Sequence, residues 1–154
     1  EHPVTEMITG LDIVRLQIEI AAGLPLPFTQ DDVRFNGHAV ECRINAEHPR
    51  TFMPSPGMVS TFHQPGGPGV RVDSHLYSGY TVPPDYDSLV AKLITHGASR
   101  RIALARMSTA LSEVVVEGIQ TNVALHADLC RDAAFVEGGT DIHYLERKLK
   151  SAST

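Results

Sequence analysis

Four polar residues alternate along one short segment in a pattern that could do chemistry. Glu41, Arg43, Asn45 and Glu47 occupy every second position, and in a β-strand such residues point to one face of the sheet. Carboxylates can take up protons, and a guanidinium carries a permanent charge. This is more functionality than a plain solvent-facing strand requires. A salt-bridged, exposed strand face would give the same alternation, so the pattern alone leaves both interpretations open.

The first residues pair a carboxylate with an imidazole, in Glu1 and His2. The segment is polar, contains a proline, lacks an initiator Met and shows no helix or strand start. We therefore expect more protein before residue 1, and an active site that is divided at this point.

Other candidate groups give weaker signals. Asp85 and Asp87 flank Tyr86 directly after a double proline, where they suit either turn chemistry or an oriented acid. The eight histidines show no metal-ligand spacing, so we interpret most of them as structural or surface residues. Cys42 and Cys130 form no Cys-x-x-Cys motif, which favours buried thiols in a reducing compartment over a disulfide or a metal site.

Composition excludes several classes of protein. The chain has 154 residues, 42% of them hydrophobic and 20% charged, which is ordinary for one globular domain. A net charge of −5 with scattered cationic residues argues against nucleic-acid binding. No apolar run is long enough to cross a bilayer, so we expect no membrane association and a cytoplasmic location.

The N-terminal two-thirds is predicted to contain one helix followed by short strands. A capping box at Thr9 and Asp12 and a stop at Gly23 predict a single amphipathic helix. From residue 37 apolar and polar residues alternate, which predicts a strand with its apolar side chains directed to the core. Further strands are predicted at residues 58–64, 70–73, 80–82 and 89–95, with Lys92 inside the last. Together they suggest an antiparallel β-meander.

The last third is predicted to be helical. Ser99 can cap a helix that ends at Gly118, Thr121 opens a second one, and a third runs over residues 143–149. The resulting fold class is α+β, with an antiparallel β-meander and flanking helices. We assign residues 1–150 to one domain and residues 151–154 to a disordered tail.

Eight segments, taken together, resemble the biotin carboxylase family. The strand motif Gly-His-Ala-Val-Glu-Cys-Arg-Ile-Asn-Ala-Glu is one of them, and all eight occur in order over nearly the whole chain. They are residues 1–10, 37–47, 54–57, 79–84, 86–89, 92–94, 118–122 and 139–146. The chain is most similar to the C-terminal domain of the biotin carboxylase subunit of bacterial acetyl-CoA carboxylase. Related acyl-CoA, pyruvate and urea carboxylases share the pattern.

The resemblance implies an ATP-grasp ligase whose N-terminal and ATP-grasp domains are absent here. Such an enzyme uses ATP, Mg²⁺ or Mn²⁺, and bicarbonate to carboxylate biotin on a carrier protein. The resemblance also implies three partners: the biotin carboxyl carrier protein, a second copy of the chain in a homodimer, and a carboxyltransferase in the complete enzyme. The metal ligands are expected in the missing part, with none in this chain.

Two catalytic roles carry over from the matching motifs. Glu1 matches the general base that deprotonates bicarbonate, which is a poor nucleophile until its proton is removed. Arg43 matches the residue that stabilises the biotin enolate. Its guanidinium N–H groups can donate hydrogen bonds to the ureido oxygen as that oxygen becomes negative.

The remaining roles concern binding. Ile142 matches an apolar contact to the adenine of ATP, with His143 beside it, although packing in the core would also account for Ile142. Tyr86 and Asp87 lie in a segment near the biotin pocket, where we expect them to orient other groups. Arg71 falls where the family has dimer-interface residues, while Pro68 departs from the aromatic residue often found nearby.

A division at residue 1 would leave the isolated chain inactive. A free α-ammonium group on Glu1 would be mostly charged at neutral pH and would lower the basicity of the nearby carboxylate. Bicarbonate-dependent ATP hydrolysis by the chain alone would refute this hypothesis. The alternative function is a non-catalytic domain for assembly or carrier docking, which would have no need of Glu1 and Arg43 aimed into one cleft.

Overall fold

A computed structural model describes residues 2–151 of the chain. The helices are α1 (Pro3–Thr9), α2 (Ile13–Ala21), α3 (Arg100–Glu113), α4 (Val123–Arg131), α5 (Ala133–Glu137) and α6 (Tyr144–Ser151). The strands are β1 (His38–Asn45), β2 (Gly57–Met58), β3 (Thr61–His63), β4 (Val70–Ser74), β5 (Thr81–Val82), β6 (Leu89–Gly97) and β7 (Val115–Glu117). The predicted α+β class is confirmed.

The strands pair antiparallel, as predicted, but the meander order is wrong. The main sheet has the order β1-β6-β4, and two small sheets pair β2 with β5 and β3 with β7. Among the described residues, no two strands that are consecutive in the chain pair with each other.

The main sheet has two differently covered faces. Helix α3 packs on one face, over side chains from all three strands, and this is the centre of the core. The predicted apolar face of β1 lies here, since Cys42, Ile44 and Ala46 are buried. Helix α1 packs against β1 and β6, on the face that carries Arg43.

The predicted helix over residues 9–23 corresponds to α2, and a second helix that was not predicted, α1, precedes it. Pro3 begins α1, directly after His2 in a left-handed conformation, and Gly10 ends it with φ 72°. The N-cap of α2 is Asp12, whose side chain accepts a hydrogen bond from the Arg15 amide. The expectation of no helix start near the N-terminus is therefore wrong. The signal for α1 is a proline at its first position, and no polar side chain caps this helix.

The other differences concern short elements. The predicted strand at residues 58–64 is divided between β2 and β3, which belong to different sheets. Ser99 caps α3 as predicted, but the helix ends at Glu113 and β7 follows before Gly118. Helix α6 extends to Ser151, one residue into the predicted tail. The rest of that tail, residues 152–154, lies outside the described residues.

Candidate functional site

Arg43 lies in a row of charged residues that crosses the main sheet. It is directly opposite Lys92 on β6, and Lys92 is directly opposite Asp73 on β4. Residues paired in this way point to the same face and have Cβ atoms roughly 5 Å apart. Sequence reasoning noted Lys92 but assigned it no role. The signal that could have identified Lys92 is a charged residue inside an otherwise apolar strand.

The charges in this row are not balanced. Asp73 is occupied by Arg71, in two hydrogen bonds of 2.8 and 2.7 Å. Within residues 2–151 the exposed guanidinium of Arg43 has no hydrogen bond or ion pair to another side chain. Like charges directly opposite each other on paired strands are unfavourable. Arg43 and Lys92 therefore form a position that would bind a negatively charged group.

Arg71 is part of a hydrogen-bond network within the chain. Besides Asp73, its guanidinium binds the carboxylate of Glu6 on α1 at 2.6 Å. The other oxygen of Glu6 accepts a hydrogen bond of 2.9 Å from the amide of Ile13, at the start of α2. These bonds hold α1 on the sheet. The assignment of Arg71 to a dimer interface stays a prediction, and sequence reasoning missed Glu6.

Tyr86 and Asp87 lie on a loop that is tied to the end of β1. Ser88 accepts a backbone hydrogen bond of 2.7 Å from Ala46 and pairs with the Glu47 carboxylate through its hydroxyl. Asp87 accepts a bond of 2.8 Å from the Leu89 amide, so its side chain orders the turn. Tyr86 is 79% exposed. The structure thus brings this loop next to β1 but forms no bond from it to the Arg43 guanidinium.

Ile142 and His143 lie just before α6. Ile142 is 91% exposed, which excludes core packing as the reason for an apolar residue here. His143 lies 3.9 Å from the Glu146 carboxylate and is also exposed. Asp132 anchors α6 by accepting hydrogen bonds from Tyr144 and Lys148. The apolar side chain of Ile142 is thus exposed in the turn that leads into an anchored helix.

The last sequence predictions concern Glu1 and the two cysteines. Glu1 lies outside the described residues, although α1 begins two positions after it and packs on the sheet face of Arg43. Cys42 and Cys130 are both buried free thiols, as predicted. The neighbouring Cys130 thiol, together with burial, raises the pKa of Cys42.

Over residues 2–151 we find no group of three side chains that could hold a metal ion. In the same range no helix is long and apolar enough to cross a membrane.

Two family models match the sequence. "Biotin carboxylase C-terminal domain" matches residues 41–147, and "Carbamoyl-phosphate synthase L chain, ATP binding domain" matches residues 1–29. Helices α1 and α2 thus match a different family model from the sheet on which α1 packs.

Curated relatives and solved structures agree with the first model. Biotin carboxylase of Pseudomonas aeruginosa is 66% identical over 97% of this chain and 33% of its own length. Biotin carboxylase 1 of Bacillus subtilis is 53% identical over 95% of this chain and 33% of its own length. The biotin carboxylase domain dimer of Hydrogenobacter thermophilus 2-oxoglutarate carboxylase was solved with MgADP, ADP and bicarbonate. It superposes with a TM-score of 0.92 at 47% identity, over 96% of this chain and 33% of that one.

The fold and the site define an α+β domain with Arg43 and Lys92 side by side on one sheet face, and biotin carboxylases of known structure share this fold. The chain belongs to the biotin carboxylase C-terminal domain family. It spans about a third of the length of the curated relatives it matches. The resemblance described from the motifs is confirmed.

Proposed function

We propose that the chain is the C-terminal part of a biotin carboxylase, an ATP-dependent ligase that carboxylates carrier-bound biotin with bicarbonate. One observation carries this proposal. Arg43, in the strand motif of the family, presents a guanidinium that has no side-chain partner within residues 2–151. A permanent cation that is held on a strand and left uncompensated suits an oxygen that becomes negative during the reaction.

The proposed chemistry divides between two residues. Glu1 removes the proton of bicarbonate, so that bicarbonate can attack ATP and form carboxyphosphate. Arg43 stabilises the biotin enolate at the ureido oxygen, and Lys92 adds positive charge from the adjacent strand. Tyr86 and Asp87 orient other groups near the biotin pocket. Their loop is held next to β1 by the hydrogen bond between Ser88 and Ala46.

The proposed ATP contact is Ile142, with His143 beside it. Ile142 is 91% exposed, and covering it with a flat aromatic face is favourable because apolar surface is removed from water. The faces of the adenine ring suit this contact. The metal, Mg²⁺ or Mn²⁺, is assigned to the preceding part of the protein, because residues 2–151 offer no fitting ligand group. The metal would neutralise the phosphate oxygens of ATP there.

We infer that the preceding part of the protein packs on α2. Three apolar side chains of this helix, Val14, Ile18 and Ile20, are each about half exposed or more. An open groove of about 720 Å³ runs between this helix, α1 and β4. Residues 1–29 match an ATP-binding domain model, so we infer that the rest of that domain packs on this apolar face.

The proposed partners follow from the same assignment. They are the biotin carboxyl carrier protein, a second copy in a homodimer, to which Arg71 would contribute, and a carboxyltransferase in the complete enzyme. The proposed location is the cytoplasm.

The test joins this chain to the preceding two-thirds of the Pseudomonas aeruginosa biotin carboxylase. We expect the joined enzyme to carboxylate biotin with ATP and bicarbonate, and the chain alone to show no bicarbonate-dependent ATP hydrolysis. Arg43→Ala should lower biotin carboxylation at least a hundredfold, in line with the loss of one oxyanion donor. Arg50→Ala, at an exposed arginine beyond β1, is the matched control and should retain activity. Unchanged activity in Arg43→Ala would favour the alternative, a domain that only docks the carrier.

A further inference from the structure

The backbone of β1 has an open side at Arg43. Strand β1 forms one edge of the β1-β6-β4 sheet, so its outward-pointing backbone groups need partners other than a strand. The Arg43 carbonyl oxygen accepts two hydrogen bonds, one from the Asn122 side-chain amide at 3.0 Å and one from Nε2 of His126 at 2.8 Å. Both lone pairs of this oxygen are therefore used.

Asn122 takes the place of a neighbouring strand over residues 43–45. Its side-chain oxygen accepts a bond of 2.9 Å from the Asn45 amide, and its backbone amide donates to the Asn45 carbonyl at 3.3 Å. The pairing of β1 with β6 changes register between Ile44 and Asn45. Asn122 thus fixes the backbone where the regular ladder is interrupted.

This use of Asn122 is unusual for its position. It is the N-cap of α4, where an asparagine side chain normally accepts a hydrogen bond from the first turn of the helix. Here no such capping bond is formed, and the residue is buried, with 7% of its surface exposed. The side chain is committed to β1 and not to its own helix.

The same face of α4 continues this contact. His126 and Cys130 follow Asn122 at intervals of four residues, so the three side chains line one face of the helix. Cys130 is buried in the same core cluster as Cys42, the residue before Arg43. Helix α4 therefore holds β1 by hydrogen bonds over residues 43–45 and packs against it at residue 42. No side chain within residues 2–151 binds the Arg43 guanidinium, so the β1 backbone alone sets the point from which this side chain projects.

We propose that Asn122 and His126 are positioning residues for Arg43, fixing its peptide group so that the guanidinium meets the ureido oxygen of biotin. The proposal rests on the function proposed above. Misplacement of a reacting group by about 1 Å can lower a rate about a hundredfold, so loss of these bonds would act on the biotin step. ATP hydrolysis without biotin does not use Arg43 in this scheme and would be spared.

The experiment uses the joined enzyme and two matched substitutions at one site. Asn122→Asp keeps the oxygen that accepts from Asn45 but places an acceptor against the Arg43 carbonyl. Asn122→Ala removes both side-chain bonds. We expect both to lower kcat for biotin carboxylation about 10- to 100-fold. KM and bicarbonate-dependent ATP hydrolysis without biotin should stay within about twofold.

His126 and Thr95 supply the conservative variant and the control. His126→Gln keeps a donor and should restore most of the activity that His126→Ala loses. Thr95→Val removes a different buried hydrogen bond, from its hydroxyl to the Ala103 carbonyl at 2.8 Å on the core face. This control should lower stability and leave kcat unchanged. In the chain alone, the ¹³C shift of the Arg43 carbonyl should move in both Asn122 variants and not in Thr95→Val.

The outcomes separate the two proposals. If the joined enzyme is inactive, or if Arg43→Ala leaves it unimpaired, the proposed function fails. If Arg43→Ala is impaired but the Asn122 variants behave like Thr95→Val, the positioning role fails and the function stands. A kcat loss confined to the biotin step, together with the carbonyl shift, supports both.

Discussion

Glu6 is predicted to be the main link between the N-terminal helices and the sheet. Its carboxylate joins three elements, because one oxygen binds Arg71 on β4 at 2.6 Å and the other binds the Ile13 amide of α2 at 2.9 Å. The Glu6 side chain is 12% exposed and that of Arg71 35%. Hydrogen bonds to charged groups contribute about 1.5–3 kcal/mol each, and less where water can replace the partner.

We expect Glu6→Ala to lower the free energy of unfolding by about 2–4 kcal/mol, because both bonds are lost. Glu6→Gln keeps the acceptor for Ile13 and should cost about 1 kcal/mol. For a chain of this size the alanine variant would lower Tm by roughly 5–10 °C. Urea unfolding followed by circular dichroism measures the difference directly.

Glu19→Ala is the matched control. Glu19 forms an ion pair of 2.8 Å with Arg15 on the surface of α2, where the Arg15 side chain is 73% exposed. Such an exposed pair contributes little to stability, because water and salt screen it. If Glu6→Ala and Glu19→Ala destabilise equally, the linking role of Glu6 is wrong. A double-mutant cycle with Arg71→Met should give a coupling of about 1–2 kcal/mol. Sedimentation of the Arg71 variant tests the dimer assignment separately.

Two further predictions concern the C-terminal helix and the apolar face of α2. Bonds from Lys148 and Tyr144 hold the pKa of Asp132 well below its usual range, so this anchor of α6 is present above about pH 4 and is lost as the pH falls further. Asp132→Asn should release α6 at neutral pH, seen as faster amide exchange over residues 144–151. Ile18→Glu should leave the stability of the chain within about 0.5 kcal/mol of the unsubstituted protein. It should weaken binding of the separately produced preceding two-thirds of the Pseudomonas aeruginosa relative about tenfold or more by calorimetry, whereas Val136→Glu on α5 should not.

The elements predicted best from the sequence are those whose signal is local. Residues 37–47 alternate strictly, and β1 follows with its apolar side chains buried. Ser99 precedes an apolar stripe, and its hydroxyl caps α3. In both cases the physics that forms the element acts within one or two turns or along a single strand, so the local sequence contains most of it.

Strand pairing was not predictable in the same way. β1 and β6 are separated by more than forty residues, yet they form the longest ladder of the main sheet. β7 was hidden because Val115 and Val116 continue the apolar pattern of α3, although β-branched residues before Gly118 favour a strand. A three-residue strand is stabilised by its partner β3 and not by its own sequence.

The candidate site also has one part that the local sequence predicts and one part that it does not. Arg43 could be named from its motif, because the group that would meet the reactant is a property of one residue. Its surroundings could not, since Asn122 and His126 are 79 and 83 residues away in sequence. An asparagine before a helix predicts an N-cap, and only the tertiary structure shows that its side-chain amide is used on β1. Substitution of Asn122 therefore tests something that substitution of Arg43 does not, namely whether the fold, beyond the motif, sets the direction of the guanidinium.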